Sequence, residues 1–132
     1  MADGKPSLVP RGPLGMWKAL QWSLRGLGMG FRHESSFRLE VYLFVVLAPL
    51  GWWLGTTALE RALLIGSLLM VLSVELLNSG IEAVVDKVSP GFDELAGRAK
   101  DMGSAAVFML MLNVLLCWGL VAWQRFGSPA SA

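Results

Sequence analysis

Charge is missing from three stretches of this chain: none lies between Glu40 and Glu60, none between Arg61 and Glu75, and none from Met102 to Gln124. Runs of this kind suit the hydrocarbon core of a bilayer, roughly 30 Å thick, and not the periodic stripes of a small soluble fold. Composition agrees, because 55% of the 132 residues are hydrophobic and only 16% are charged, too apolar for a short water-soluble domain. Disorder, a disulfide scaffold and a large multidomain enzyme are excluded. Cys117 is the only cysteine, so neither an intrachain disulfide nor a cysteine metal site can form. A formal charge of +1 supplies no global basic field, and no nucleic-acid partner is expected.

The three runs predict an all-α membrane protein with spans at about residues 40–55, 62–86 and 102–124. Pro49 and Gly51 predict a kink or a weakened end in the first span, near the interfacial pair Trp52 and Trp53. The second span must continue past Glu75, since thirteen residues rise only about 20 Å. Trp118, Trp123 and Arg125 anchor the end of the third. Of the 11 Lys and Arg residues, only Arg61 and Arg125 fall on one side; the others precede the first span or lie between the second and third. The positive-inside rule then puts the N-terminus in the cytoplasm and the C-terminus outside.

Residues 1–16 lack the apolar core of a cleavable signal peptide. Ser7 to Gly12, reading SLVPRG, looks like a thrombin-type linker, and residues 1–15 are read as a flexible N-terminus or tag remnant ahead of one membrane domain at 16–132. From about 17 to 34, Trp17, Leu20, Leu24, Leu27 and Phe31 recur at three- and four-residue steps, while Lys18, Arg25 and Arg32 recur every seventh residue on another face. That pattern predicts an amphipathic helix on the membrane surface. A topology anchor without a catalytic role fits it equally well.

Polar residues inside the second span carry the strongest functional signal. Glu75, Asn78, Ser79, Glu82 and Asp86 lie 3, 4, 7 and 11 residues from the first and so share one helix face. Glu82 falls near the cytoplasmic boundary, and Glu75 lies about 10 Å deeper. A charge near the bilayer centre costs at least about 2.5 kcal/mol, so Glu75 must face protein or a polar cavity. Pairing with bases on a neighbouring span is the plain structural alternative, but the second and third spans offer no Lys or Arg. A bound cation is the remaining partner, and carboxylate oxygens suit Mg2+. Next, Lys87 to Asp101 is read as a cytoplasmic loop of interleaved acids and bases, able to hold a phosphorylated ligand or simply to be solvated. It contains no phosphate-binding P-loop and no protein-kinase signature.

The run Val74 to Ala106, VELLNSGIEAVVDKVSPGFDELAGRAKDMGSAA, resembles the signature of the small prokaryotic integral-membrane diacylglycerol kinases. FRHESSFRLE, Phe31 to Glu40, resembles that family's other acidic motif, and the resemblance covers about residues 17–126. It implies transfer of the ATP γ-phosphate to the hydroxyl of sn-1,2-diacylglycerol, giving phosphatidic acid, by a homotrimer of three-span subunits in the bacterial inner membrane. ATP is then co-substrate and Mg2+ the cofactor. By the same resemblance Glu75 is the general base with Asn78 beside it, and Glu34 and Glu82 hold the metal. Trp22, Glu34, Glu82, Gly91, Phe92, Asp93, Lys100 and Asp101 contact nucleotide, and Ser23, Arg61, Glu75 and Ser104 contact the lipid substrate. Two positions depart from the family: Gly15 stands where it commonly has an Arg, with Arg11 the nearest upstream base, and Trp22 where it has a Tyr.

Alternatives stay open. A sister group phosphorylates undecaprenol. A proton- or cation-conducting bundle would use Glu75 and Glu82 as a relay but gives no role to Lys100 and Asp101, and a noncatalytic membrane subunit explains neither. Three spans alone leave little protein around Glu75, so a trimer is also expected as the means of burying the polar stripe. Gly103 to Ala106 forms a small-residue patch suited to close helix packing.

Overall fold

In a computed structural model that describes residues 12–127, the chain forms helices α1 (Pro13–His33), α2 (Ser35–Leu54), α3 (Ala58–Val88) and α4 (Glu94–Phe126). The last three are long and apolar enough to cross a membrane. The reading of residues 1–15 falls largely on 1–11, outside the described residues; α1 begins at Pro13, behind Gly12, whose φ of 92° only glycine adopts easily.

The second and third spans lie inside longer helices, and the first matches α2 to within a residue at its end, where Gly55 is the C-cap. The 31 residues of α3 and the 33 of α4 rise about 46 and 50 Å, more than a bilayer core requires. The expected loop from Lys87 to Asp101 is correspondingly corrected: the non-helical connection is only residues 89–93. Leu95, Ala96, Arg98, Ala99 and Lys100 are good helix formers, and Asp93 Oδ1 accepts from the Ala96 backbone N–H at 2.8 Å, capping α4. Charge interrupts the apolar run there without interrupting the backbone ladder. α2 continues through Pro49 and ends at Leu54, just after the Trp pair.

At one end of the molecule, the carbonyls left unpaired where α2 stops are taken up by two arginines. Arg61 Nε donates to Trp52 O and Gly55 O at 3.1 and 3.0 Å, and Arg125 Nη1 donates to Trp53 O and Leu54 O at 2.5 and 2.6 Å. Their guanidinium groups lie 4.7 and 4.3 Å from the ring centres of Trp52 and Trp53. Thr57 and Glu60 form a reciprocal capping box that starts α3. The two bases that sequence placed on one side of the membrane thus meet in one cluster.

α3 is the central helix, packed against α2 and α4, which scarcely touch each other. Beside the arginine cluster, Leu54, Leu64 and Val121 are buried with Trp118 and Ala122 against them. Gly51 permits this closeness: a Cβ there would meet Trp118 Cζ2 at 3.2 Å and Leu64 Cβ at 3.3 Å. At the opposite end Glu34 is the single extended residue between α1 and α2, with φ −104° and ψ 114°. Arg38 Nη1 donates to Phe31 O at 3.1 Å, capping α1, and Gly30 packs against Leu76 and Phe37. Of the apolar stripe of α1, Phe31 meets Tyr42 of α2 edge-on, with ring centres 5.8 Å apart, while Trp17, Leu20, Leu24 and Leu27 are exposed among the described residues.

Candidate active site

Glu75 and Asn78 are among the few buried polar residues, 7% and 8% exposed. They sit one turn apart on α3, facing the α2 and α4 neighbours, and Asn78 Nδ2 donates to Glu82 Oε1 at 3.2 Å. The expectation that a trimer is needed to bury Glu75 is therefore corrected. A central helix has protein on two sides, and α2 and α4 already cover the inner part of the stripe, Glu75 and Asn78, while Ser79 and Glu82 are half-buried and Asp86 is exposed.

A cavity of about 270 Å³ gathers Glu34 from the α1–α2 corner, Ser36 and Glu40 from α2, Glu75, Asn78, Ser79 and Glu82 from α3, and Ser104 from α4. Four carboxylates line it and no Lys or Arg does. Like charges confined in this way repel unless protons or a cation intervene. Glu40 was not singled out from sequence. It is 9% exposed, and its Oε2 is buried with no hydrogen-bond partner. Its signal was present, because it closes the FRHESSFRLE run five residues before Val45 and borders the first uncharged stretch.

Glu40 and Met111 also line a second space of about 270 Å³, whose other walls, among them Leu43, Phe44, Leu47, Leu68, Leu72 and Leu115, are apolar. An acidic chamber and an apolar groove therefore share a wall. That arrangement can accept an amphiphile with its polar end among the carboxylates and its hydrocarbon along the helices.

Of the residues singled out from sequence, Glu34, Glu75, Asn78, Glu82 and Ser104 converge on the cavity. Trp22 and Ser23 lie on the exposed face of α1, where Ser23 Oγ donates to Ala19 O at 3.0 Å. Gly91, Phe92 and Asp93 occupy the α3–α4 connection, with Phe92 fully exposed. Lys100 Nζ binds Asp86 Oδ1 at 2.8 Å, and Asp101 next to it is exposed. Arg61 belongs to the arginine cluster, fourteen residues and so about 21 Å along α3 from Glu75.

No three Asp, Glu, His or Cys side chains among the described residues converge tightly enough to hold a metal by themselves. Glu34 and Glu82 nonetheless fit a partial site. Mg2+ is commonly held by one or two carboxylates, with water and substrate phosphates completing its shell.

Comparison with known proteins identifies the family. A family model described as prokaryotic diacylglycerol kinase matches residues 21–122. A diacylglycerol kinase of Escherichia coli (strain K12) is 42% identical over 110 residues, 83% of this chain and 90% of that protein. Those of Haemophilus influenzae and Pseudomonas aeruginosa are 46% identical over 99 and 103 residues, covering 75% and 78% of this chain and 84% of each relative. With the carboxylate cavity inside the matched segment and relatives of this similarity along most of its length, the chain belongs to the prokaryotic diacylglycerol kinase family.

Proposed function

We propose that the chain is an ATP-dependent lipid kinase that phosphorylates the hydroxyl of diacylglycerol at the cytoplasmic face of a bacterial membrane, yielding phosphatidic acid. The observation that carries this reading is the wall shared by the carboxylate cavity and the apolar groove at Glu40 and Met111. A soluble alcohol needs no such groove, and a proton relay needs no such chamber. The positive-inside count supports placing the cavity end in the cytoplasm, where ATP is available, and the arginine cluster outside.

Phosphoryl transfer asks a protein for position and charge more than for covalent chemistry. Glu75, deep in the cavity, orients the lipid hydroxyl and accepts its proton. Asn78 holds Glu82, and Glu34 approaches from the helix corner. When bound at Glu34 and Glu82, Mg2+ would neutralise charge on the nucleotide phosphates. Lys100, on the cytoplasmic extension of α4, supplies a cation for the nucleotide once it leaves Asp86. Trp22 offers a ring for stacking on the base.

We place the enzyme in a homotrimer. Trp22, Phe92 and Asp101 stay outside the cavity of their own chain, and Trp17, Leu20, Leu24 and Leu27 of the α1 stripe are exposed among the described residues. A site completed by a neighbouring subunit accounts for both, while the same stripe on the membrane surface accounts for the amphipathic pattern of α1.

The test is ATP consumption by the purified protein in mixed micelles with Mg2+, comparing diacylglycerol, undecaprenol and no lipid. Turnover that requires diacylglycerol and exceeds that with undecaprenol is expected. Preference for undecaprenol would move the enzyme to the polyprenol branch, and absence of lipid-dependent turnover would overturn the reading.

A further inference from the structure

Gly103 of α4 is buried, and a Cβ placed there would run into the Asn78 side chain, striking Oδ1 first and lying 3.2 Å from Cγ. The Asn78 Oδ1 atom it would strike is itself buried without a hydrogen-bond partner. Only a Cα hydrogen of Gly103 stands where the Cβ would be, so the carboxamide is held by shape, with at most a weak C–H···O contact. The other end of the same carboxamide, Nδ2, donates to Glu82 Oε1 at 3.2 Å. Neither Gly66 nor Gly119 has any such neighbour within 4 Å.

We propose that Gly103 is a positioning residue for the cation site: by leaving room for the Asn78 carboxamide, it fixes the hydrogen bond that orients the Glu82 carboxylate. The inference rests on the reading of Glu82 as a metal ligand. It deepens that reading by giving the site a second layer on the facing helix, of the kind that tunes metal affinity through ligand orientation. Because the obstructed atom is the tip of a short side chain and not backbone, an added methyl is absorbed by turning the carboxamide. The helices keep their places, and the bond to Glu82 is lost.

The experiment uses the full chain in detergent micelles and compares Gly103→Ala, Gly119→Ala, Asn78→Ala, Glu82→Gln and the double variant Gly103→Ala with Asn78→Ala. Mn2+ affinity in the presence of a non-hydrolysable ATP analogue is read by paramagnetic resonance, alongside the Mg2+ dependence of turnover and circular dichroism. Gly103→Ala is expected to weaken cation binding by about tenfold with an unchanged KM for diacylglycerol and an unchanged helical spectrum. Gly119→Ala should behave as wild type. The double variant should bind cation no worse than Asn78→Ala alone, because the glycine acts through that side chain. Additive losses would overturn the proposal. So would loss of helical structure in Gly103→Ala, since the carboxamide alone must absorb the methyl. If Gly103→Ala binds cation normally while Glu82→Gln does not, the inference fails and the metal reading stands; if Glu82→Gln also binds normally, both fail.

Discussion

Glu75 carries the reaction's proton in this scheme, and its position makes the claim sharp. It is buried on the central helix beside a cavity that holds three other carboxylates. Glu75→Gln preserves size and hydrogen bonding while removing basicity, so kcat should fall by at least about a hundredfold with helical content intact. Turnover near wild type would take Glu75 out of the mechanism. Asp86 offers a test of the opposite sign. Its 2.8 Å ion pair with Lys100 is exposed on both sides, and such pairs contribute only about 0–1 kcal/mol. A nucleotide phosphate that must draw Lys100 away from Asp86 therefore meets a weak competitor. Asp86→Asn should lower the KM for ATP by up to about fivefold and leave kcat alone; a raised KM would mean that Asp86 helps to hold Lys100 where it is needed. Spacing on one helix face was enough to find Glu75, Asn78 and Glu82. Glu40 escaped that logic because its partners lie on another helix, and only packing brings them together.

The helices themselves were legible wherever hydrophobicity and helicity coincide. They were misjudged where the two part, as at Glu94 to Asp101, a charged segment that is nonetheless helical because Asp93 caps it and good helix formers follow. The resemblance implies Arg61 as a lipid contact; in the structure its guanidinium also caps α2, a role that no one-dimensional pattern announces since the accepting carbonyls are backbone atoms. Arg125 does the same from the end of α4. Hydrogen bonds from a charged group contribute about 1.5–3 kcal/mol each when their loss leaves carbonyls unpaired, less where water reaches them. Arg125→Met should accordingly destabilise the fold by roughly 2–3 kcal/mol in reversible unfolding, with turnover per folded molecule unchanged, because the cluster lies at the far end of α3 from the cavity. A loss of kcat at full folding would tie the arginine-cluster end of the bundle to the chemistry.

At the scale of the whole molecule, burial of Glu75 by its own chain changes what an assembly is for. A neighbouring subunit is not required to hide the carboxylate; what a neighbour can add is the set of residues that one chain leaves outside its cavity. Those residues sit on α1, on the α3–α4 connection and at the start of α4, at the same end of the bundle as the cavity. Glu34 and Glu82 line the same cavity of one chain, so in the proposed trimer the division to be tested lies between the proton-accepting part and the nucleotide-holding part. Subunit mixing measures that division directly. Glu75→Gln protein lacks the first part and Lys100→Met protein lacks the second, and each alone should be inactive. Dissociated, mixed in equal amounts and reassembled, they place an intact first part beside an intact second part at about one quarter of the sites if each site takes one part from each of two adjacent chains in a closed ring. Activity near that fraction is the expected result, appearing only after dissociation and not on simple mixing of preformed assemblies. If both parts belong to the same chain, every site in the mixture carries one of the two lesions, and activity stays at the level of the inactive parents.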